Sequence, residues 1–373
     1  MAGAADTGAR PRVWLHASDL AHLPGLTVLA AHLSEQPQGP ATRVTGAPDA
    51  PGPGDDPRDI DKALDSHPAR MLVLAGTVLP VPLIERARAR GVALVLVDAV
   101  NPVPSGGWRI LPGYARGILA QFQQIHARDT AAAAAITRTV KGAVPVLVTG
   151  ALARHAPVRG CNARELDALR HAVGARPVWF AHALPESEAD AVFLAHAHAL
   201  RRAPRLLLIV QPTDPAHGAA MAARAGDVGF VRARRALDED ITETTQVYLA
   251  DTEDDPGLFL RLAPVTYLGG SLSPQALTPS PVVPAALGSA LVFGPQAAGG
   301  DRAFLETLRR MGGGRQIGVA ADLGEAVSTL LSPEAGAEAA LRAWTLATEG
   351  SDATHTVARA ICDWLDLNAR GPA

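Results

Sequence analysis

The sequence predicts an α/β protein built of two halves, each an open parallel sheet flanked by helices. Two observations lead there: short, continuously apolar runs of the kind buried parallel strands use recur along the chain, and amphipathic helical segments separate them. At 373 residues the chain is long for a single core, so two domains of ordinary size are expected.

The elements follow in order. A strand at 12–16 and a turn at 17–19 lead into a helix that starts at 20 or 24 and runs to 32. Pro, Gly and Asp crowd 36–57, which marks a loop around a weak strand at 42–45. Ordered chain resumes at 60, with strands at 71–75 and 93–97 around a helix at 82–90. A loop at 101–105, a helix at 113–122 and a short strand at 125–127 come next. Asp129 caps an alanine-rich helix to 141, and 144–149 is a strand. Residues 151–164 carry no periodicity and read as an interdomain passage. The second half alternates helix 165–173, strand 177–181, helix 186–201, strand 205–211, helix 216–225 and strand 229–231.

Residues 246–295 complete that half: strand 246–250, helix 256–262, strand 265–268, a glycine turn, helix 281–287 and strand 290–293. Helices at 304–311, 323–331 and 334–349 surround a strand at 315–319, and a helix at 353–368 closes the chain. The boundaries expected are a disordered lead over 1–11, a first Rossmann-like domain over 12–160, a second over 161–352, and a C-terminal helix over 353–373 that packs back toward the first domain. Two Rossmann-like halves facing a cleft describe the GT-B layout of glycosyltransferases, and equally two-domain epimerases and periplasmic-type binding proteins.

Composition narrows the function classes. Hydrophobic residues make up 48% of the chain, charged residues 19%, and the net charge is −3. Without a basic arm, no nucleic-acid partner is expected. Cys161 and Cys362 stand far apart without metal-type spacing, which suits a reducing, cytoplasmic compartment. His182, His196 and His198 fall close together but do not match a zinc spacing, so neither a metal nor a cofactor is expected. No apolar run reaches the roughly 20 residues that span a bilayer, and the lead lacks the apolar core of a signal peptide. The segment 24–32 is apolar enough to dip into a membrane interface or to serve as core.

Gly269, Gly270 and Ser271 end a strand opposite a helix start where Ser280 suits the N-cap and Pro281 the first turn. Free backbone N–H groups and a helix dipole there would seat a phosphate; the alternative is a tight turn that needs glycine for packing. Asp251 and Thr252 end a strand at its carboxyl edge, where ligands gather in parallel sheets, or simply begin the next helix, with Asp255 and Pro256. His16 closes the first strand, as a structural histidine or as a contact to substrate.

These same residues carry a resemblance. Trp14-Leu15-His16-Ala17, Leu79-Pro80, Val148-Thr149-Gly150 with Leu152, Trp179 with Glu188 and His196, Asp251-Thr252, and the run through Gly269–Ser271 to Pro295 occur in the order of motifs in the 3-deoxy-D-manno-octulosonic acid (Kdo) transferases. Over residues 12–365 the chain resembles that family. The resemblance implies an inverting, metal-independent transfer of Kdo from CMP-Kdo to a lipid A precursor, with the acceptor on the first domain, the nucleotide sugar on the second, and peripheral contact with the inner membrane. It also puts His22 where the family has its glutamate base. Neutral histidine can take a proton near neutral pH, and Asp19 is a second candidate base or an N-cap. Glu188 matches a family acid, although a glutamate in a first helical turn is ordinarily a surface residue. Other family side chains are replaced: Ala75 and Thr77 stand for two acids, and Val283 stands for the glutamate of its most specific motif. A homologue without catalysis, or one with a changed donor, is the competing expectation.

Overall fold

The structure, a computed structural model, describes residues 11–106, 113–156, 158, 160–253, 256–297 and 301–369. Residues 1–10 of the expected lead, and Asp255, lie outside the described residues. The chain divides into one unit of residues 1–157 and 349–373 and a second of residues 158–348.

In the first unit the strands are β1 (Arg12–Ala17), β2 (Ala41–Thr45), β3 (Met71–Ala75), β4 (Val78–Leu79), β5 (Ala93–Ala99), β6 (Val103–Pro104), β7 (Gln124–Ala127) and β8 (Val146–Val148). Six form one sheet in the order β2-β1-β3-β5-β7-β8, paired in parallel throughout. β4 and β6 form a separate parallel ribbon that the sequence reading lacks. Helices are α1 (Leu23–Glu35), α2 (Pro57–Ser66), α3 (Val81–Ala89), α4 (Tyr114–Leu119), α5 (Thr130–Val140) and, from the far end of the chain, α14 (Ser351–Ala369). Asp56 caps α2 through Arg58 N–H at 2.7 Å and Asp129 caps α5 through Ala132 N–H at 2.8 Å.

Side chains alternate across this sheet. Leu72 and Leu74 face one layer with Leu94, Leu96 and Ile136, whereas Val73 and Val95 face the other with Leu15. That second layer is covered by Leu26, Leu29 and Leu33 of α1 and by Val357, Ile361 and Leu365 of α14. The apolar side chains of segment 24–32 are thus core.

In the second unit the strands are β9 (Val178–Leu184), β10 (Leu207–Pro212), β11 (Arg232–Arg234), β12 (Val247–Leu249), β13 (Val265–Leu268), β14 (Ala290–Phe293) and β15 (Gly314–Gln316). They too are parallel, in the order β11-β12-β10-β9-β13-β14-β15. Its helices are α6 (Ala163–Val173), α7 (Ala189–Leu200), α8 (Gly218–Asp227), α9 (Gly257–Leu260), α10 (Val282–Ala286), α11 (Arg302–Met311), α12 (Leu323–Leu330) and α13 (Pro333–Ala347). β11 begins three residues later than expected. Phe230 N–H reaches back to Ala225 C=O at 3.0 Å, closing α8 through Gly229 in the left-handed region, so 229–230 belong to the helix end.

Both units are therefore doubly wound parallel α/β folds, and the expected class of two Rossmann-like halves holds. Each sheet reverses its winding beside its first strand: between β1 and β3 in one unit, between β9 and β13 in the other. Such a reversal opens a crevice outside the carboxyl ends of the strands. Among the described residues, no helix is long and apolar enough to cross a membrane.

Candidate active site

At the reversal in the first unit, the chain leaving β1 passes over the end of β3. Ser18 N–H donates to Ala75 C=O at 2.9 Å. Gly76 makes that approach feasible: it has φ +144°, and a β-carbon there would lie 1.8 Å from Ser18 Oγ. The passage brings Asp19 to the end of β3, where its Oδ2 accepts Thr77 N–H at 3.0 Å. Its Oδ1 lies 2.6 Å from His22 Nδ1 and accepts His22 N–H at 3.3 Å.

The carboxylate selects the tautomer. With the Nδ1 proton on Asp19, the neutral ring carries its lone pair on Nε2. Partial burial works against the charge on Asp19, but the hydrogen bonds from His22 and from Thr77 N–H outweigh it and hold this carboxyl below its ordinary range. The His22 side chain is 11% exposed and that of Asp19 35%. Arg128, just past β7, approaches His22 Nε2 with Nη2 at 3.4 Å, while its Nε donates to Asp98 Oδ1 at 2.6 Å. Asp98 holds a left-handed backbone, φ +53°, which aspartate tolerates better than most residues. Four strands thus converge on one imidazole.

His16 lies in the same unit but does other work. Thr45 Oγ1 accepts Trp14 Nε1–H at 2.8 Å, so its own proton points to His16 Nδ1, 2.9 Å away. Burial pushes the His16 pKa down to about 4, so at neutral pH the ring offers an Nε2–H donor and no base. His16 also lines a cavity of about 440 Å³ with Ser18, Leu20, Asp55, Val78 and Ser105.

At the reversal in the second unit, Glu188 occupies the place a ligand would need. Its Oε2 accepts Tyr267 O–H at 2.7 Å and Gly270 N–H at 2.9 Å, and its Oε1 accepts Leu272 N–H at 2.9 Å. Gly269 N–H is spent on His182 C=O at 2.8 Å, and a β-carbon on Gly269 would lie 2.3 Å from Ala183 C=O. Ser271 Oγ donates to Leu268 C=O at 2.5 Å and accepts Gly294 N–H at 2.8 Å. Gly269, Gly270 and Ser271 are buried.

Several expectations are corrected here. The Gly269–Gly270–Ser271 turn is not an open phosphate seat, because Glu188 and the neighbouring backbone already hold the Gly269 and Gly270 N–H groups and the Ser271 hydroxyl. Glu188 is no surface residue; it is 3% exposed. The helix after Ser280 begins at Val282, one position later than expected, with Pro281 rather than Ser280 at the N-cap. Ser280 Oγ accepts only a long 3.4 Å bond from Val282 N–H. Asp251 does not open outward: its buried side chain pairs with Arg234 Nε and Nη2, both at 2.8 Å, and accepts Ala236 N–H at 3.0 Å. Thr252 follows it, half-buried.

His196 and His198 do not act together. His196 Nδ1 accepts Trp179 Nε1–H at 3.1 Å inside the core, whereas His198 Nε2 lies 3.4 Å from Glu325. Among the described residues, no three of His, Cys, Asp and Glu gather as metal ligands. The sequence reading missed Arg128, Asp98 and the grip of Glu188. All three stand at or just past carboxyl ends of parallel strands, the rule that pointed to Asp251, so applying it to every strand would have found them.

No protein-family model matches the chain. It is 30% identical over 110 residues to 3-deoxy-D-manno-octulosonic acid transferase of Haemophilus influenzae, covering 29% of this chain and 26% of that protein. It is 29% identical over 118 residues to a probable mitochondrial 3-deoxy-D-manno-octulosonic acid transferase of Arabidopsis thaliana, covering 31% and 26%. The matched stretch thus spans about a quarter of the length of these curated relatives. Among solved structures, the C-terminal CMP-Kdo binding domain of WaaA from Acinetobacter baumannii is 22% identical and covers 49% of this chain and 96% of its own, at a TM-score of 0.46. The fold assignment rests on the two sheets and not on that likeness. The resemblance to the Kdo transferases read from the motifs holds.

Proposed function

We propose that the chain is an inverting glycosyltransferase that moves Kdo from CMP-Kdo to a hydroxyl of a lipid A precursor. The observation that carries this reading is the Asp19–His22 pair, 2.6 Å apart at the winding reversal of the first unit. His22 Nε2 takes the proton of the acceptor hydroxyl as that oxygen attacks the anomeric carbon of the sugar. The bond from the anomeric carbon to the phosphate oxygen breaks, and CMP leaves with the electron pair. Asp19 stabilises the imidazolium that forms and keeps its ring oriented. Arg128 Nη2, 3.4 Å from Nε2, has to give way to the hydroxyl for this step. The reading entails a cytoplasmic protein working at the inner face of a membrane, with no cofactor.

A second reading is favoured by one observation: Glu188 fills the Gly270 and Leu272 N–H positions that a donor phosphate would use. On that reading the chain binds a partner without turnover, or takes a donor other than CMP-Kdo.

Calorimetry with CMP and CMP-Kdo, followed by CMP release in the presence of a lipid A precursor, tests both. Saturable binding and CMP release support the transferase. Absence of binding by either nucleotide sinks it and leaves the second reading.

A further inference from the structure

Arg128 stands beside the Asp19–His22 dyad as a fixed donor. Its Nη2 lies 3.4 Å from His22 Nε2, the ring nitrogen that carries the lone pair. The guanidinium is held from behind: Arg128 Nε donates to Asp98 Oδ1 at 2.6 Å, and the Asp98 side chain is only 10% exposed. Asp98 keeps a left-handed backbone, φ +53°, to stand there, and strain of this kind persists where the surrounding structure fixes it, commonly at active sites. The hydrogen bond to Asp98, joined by the charges of Asp98, Asp129 and Asp19, holds Arg128 above its ordinary range against the pull of burial. Arg128 therefore donates at every working pH and never takes a proton.

The two nitrogens ask for one kind of ligand. Nε2 needs a proton donor and Nη2–H needs an acceptor. A carboxylate or phosphate oxyanion satisfies Nη2–H but has no proton to give Nε2. A hydroxyl satisfies both, donating through its O–H and accepting on the same oxygen. Each such bond spans roughly 2.9 Å, so the two nitrogens must part by about 1 Å to take the oxygen between them. A side chain that is 40% exposed and tied down through its Nε has room for that swing. Water fits the same place and is the occupant that a sugar hydroxyl displaces.

We propose that Arg128 is a further catalytic residue: its Nη2–H and the Nε2 lone pair of His22 form a two-point seat for one hydroxyl oxygen, the nucleophile of the transfer. The transfer rests on the reading above; the seat does not. As the oxygen forms its bond to the anomeric carbon, its proton passes to Nε2, and the bond from that carbon to the phosphate gives its electron pair to CMP. Nη2–H stays on the oxygen while its charge changes. With the seat empty, the same N–H covers the lone pair.

The test follows the His22 ring of the full chain with diethyl pyrocarbonate, which acylates a neutral imidazole at its lone pair and is read residue by residue by mass spectrometry. Arg128→Lys keeps a charge for Asp98 and with it the fold, checked by a melting curve, but a lysine bound to Asp98 has no second nitrogen for Nε2. His22 reacts about tenfold faster in Arg128→Lys and in Arg128→Ala than in the wild type, the factor one hydrogen bond carries. Millimolar guanidinium returns the slow rate to Arg128→Ala, and sodium chloride at equal ionic strength does not. Glycerol, a neutral hydroxyl ligand, slows the wild-type reaction saturably, and acetate does not. In the transfer assay Arg128→Lys lowers kcat by about 10²-fold with KM for CMP-Kdo held, and guanidinium restores part of kcat to Arg128→Ala. The proposal is overturned if His22 reacts equally fast in all three proteins, if guanidinium has no effect on Arg128→Ala, if acetate protects as well as glycerol, or if a wild-type chain that turns over loses nothing in Arg128→Lys. Gated acylation and glycerol protection without CMP release by the wild-type chain would count against the transferase and leave the seat standing.

Discussion

The two winding reversals of this chain are built alike and used differently. In each, a loop leaving the central strand sends a carboxylate across to the neighbouring strand end, where it accepts backbone N–H: Asp19 takes Thr77 N–H, and Glu188 takes Gly270 and Leu272 N–H. In each, a glycine lacks the β-carbon that would block the approach, Gly76 in one and Gly269 in the other. Asp19 has one oxygen left for His22 and stands 35% exposed, whereas Glu188 spends both oxygens inward and is 3% exposed. The same architectural position is open chemistry in one unit and closed structure in the other. A carboxylate at a reversal is thus no site until its remaining lone pairs have been followed.

The largest effect that would break this contrast lies at Glu188. Glu188→Ala strands two N–H groups and a phenol in a buried place, and it should cost about 4 kcal/mol of stability in urea unfolding. A cost below about 1 kcal/mol would mean that the site tolerates vacancy, as a ligand site does, and the contrast would fail.

Acid sharpens the difference next. His126 is fully buried, neither ring nitrogen has a hydrogen-bond partner among the described residues, and burial pushes its pKa down to about 4, as it does for His16. A histidine whose folded pKa lies below its unfolded value of about 6.5 binds its proton first in the unfolded chain. Stability is therefore complete above pH 6.5 and is lost as pH falls from 6.5 toward 4, by up to roughly 3 kcal/mol for each group. Unfolding followed from pH 7 to pH 4 should show this slope, and His126→Leu should remove up to roughly 3 kcal/mol of it. An unchanged slope would take His126 out of the account.

At the open reversal the expectation is activity lost without stability. His22→Ala should lower transfer by about 10²-fold, roughly 2.7 kcal/mol, while unfolding shifts by less than about 1 kcal/mol. A variant that unfolds easily while still turning over would make His22 structural and the two reversals equivalent. Asp19→Asn should cost the least, about tenfold in rate, because the one amide oxygen can still accept from Nδ1–H, but Thr77 N–H then loses its acceptor and the neutral amide stabilises the imidazolium poorly. A rate equal to wild type would separate Asp19 from the chemistry.

Much of this was legible before any coordinates. The strands 71–75 and 93–97 are continuous apolar runs that have no other use than a buried parallel sheet, and Asp129 announces its helix. Asp19 and His22 are three residues apart, a spacing a turn and helix start bring together without help. What escaped was long-range. Glu188 and Gly270 are 82 positions apart and His22 and Arg128 are 106 apart, and no periodicity links them. The reading of Gly269–Ser271 as a phosphate seat had the backbone right and the occupant wrong, since a turn poised for an anion accepts a carboxylate of the same chain as readily. β11 slipped because a left-handed Gly229 lengthened the end of α8 by a few residues.

The helix α14 gives the chain a timetable. Val357, Ile361 and Leu365 close the α1 face of the first unit, yet they leave the ribosome only after a second unit whose own sheet is continuous in sequence. While the chain is being synthesised, the second unit can complete its core with the first still open on one face. The flank of α1 and of the sheet that α14 covers stays open throughout that interval. A nascent chain that stops before residue 357 carries a finished second unit and an unfinished first one, and it is the exposed face of α1 that a chaperone would meet.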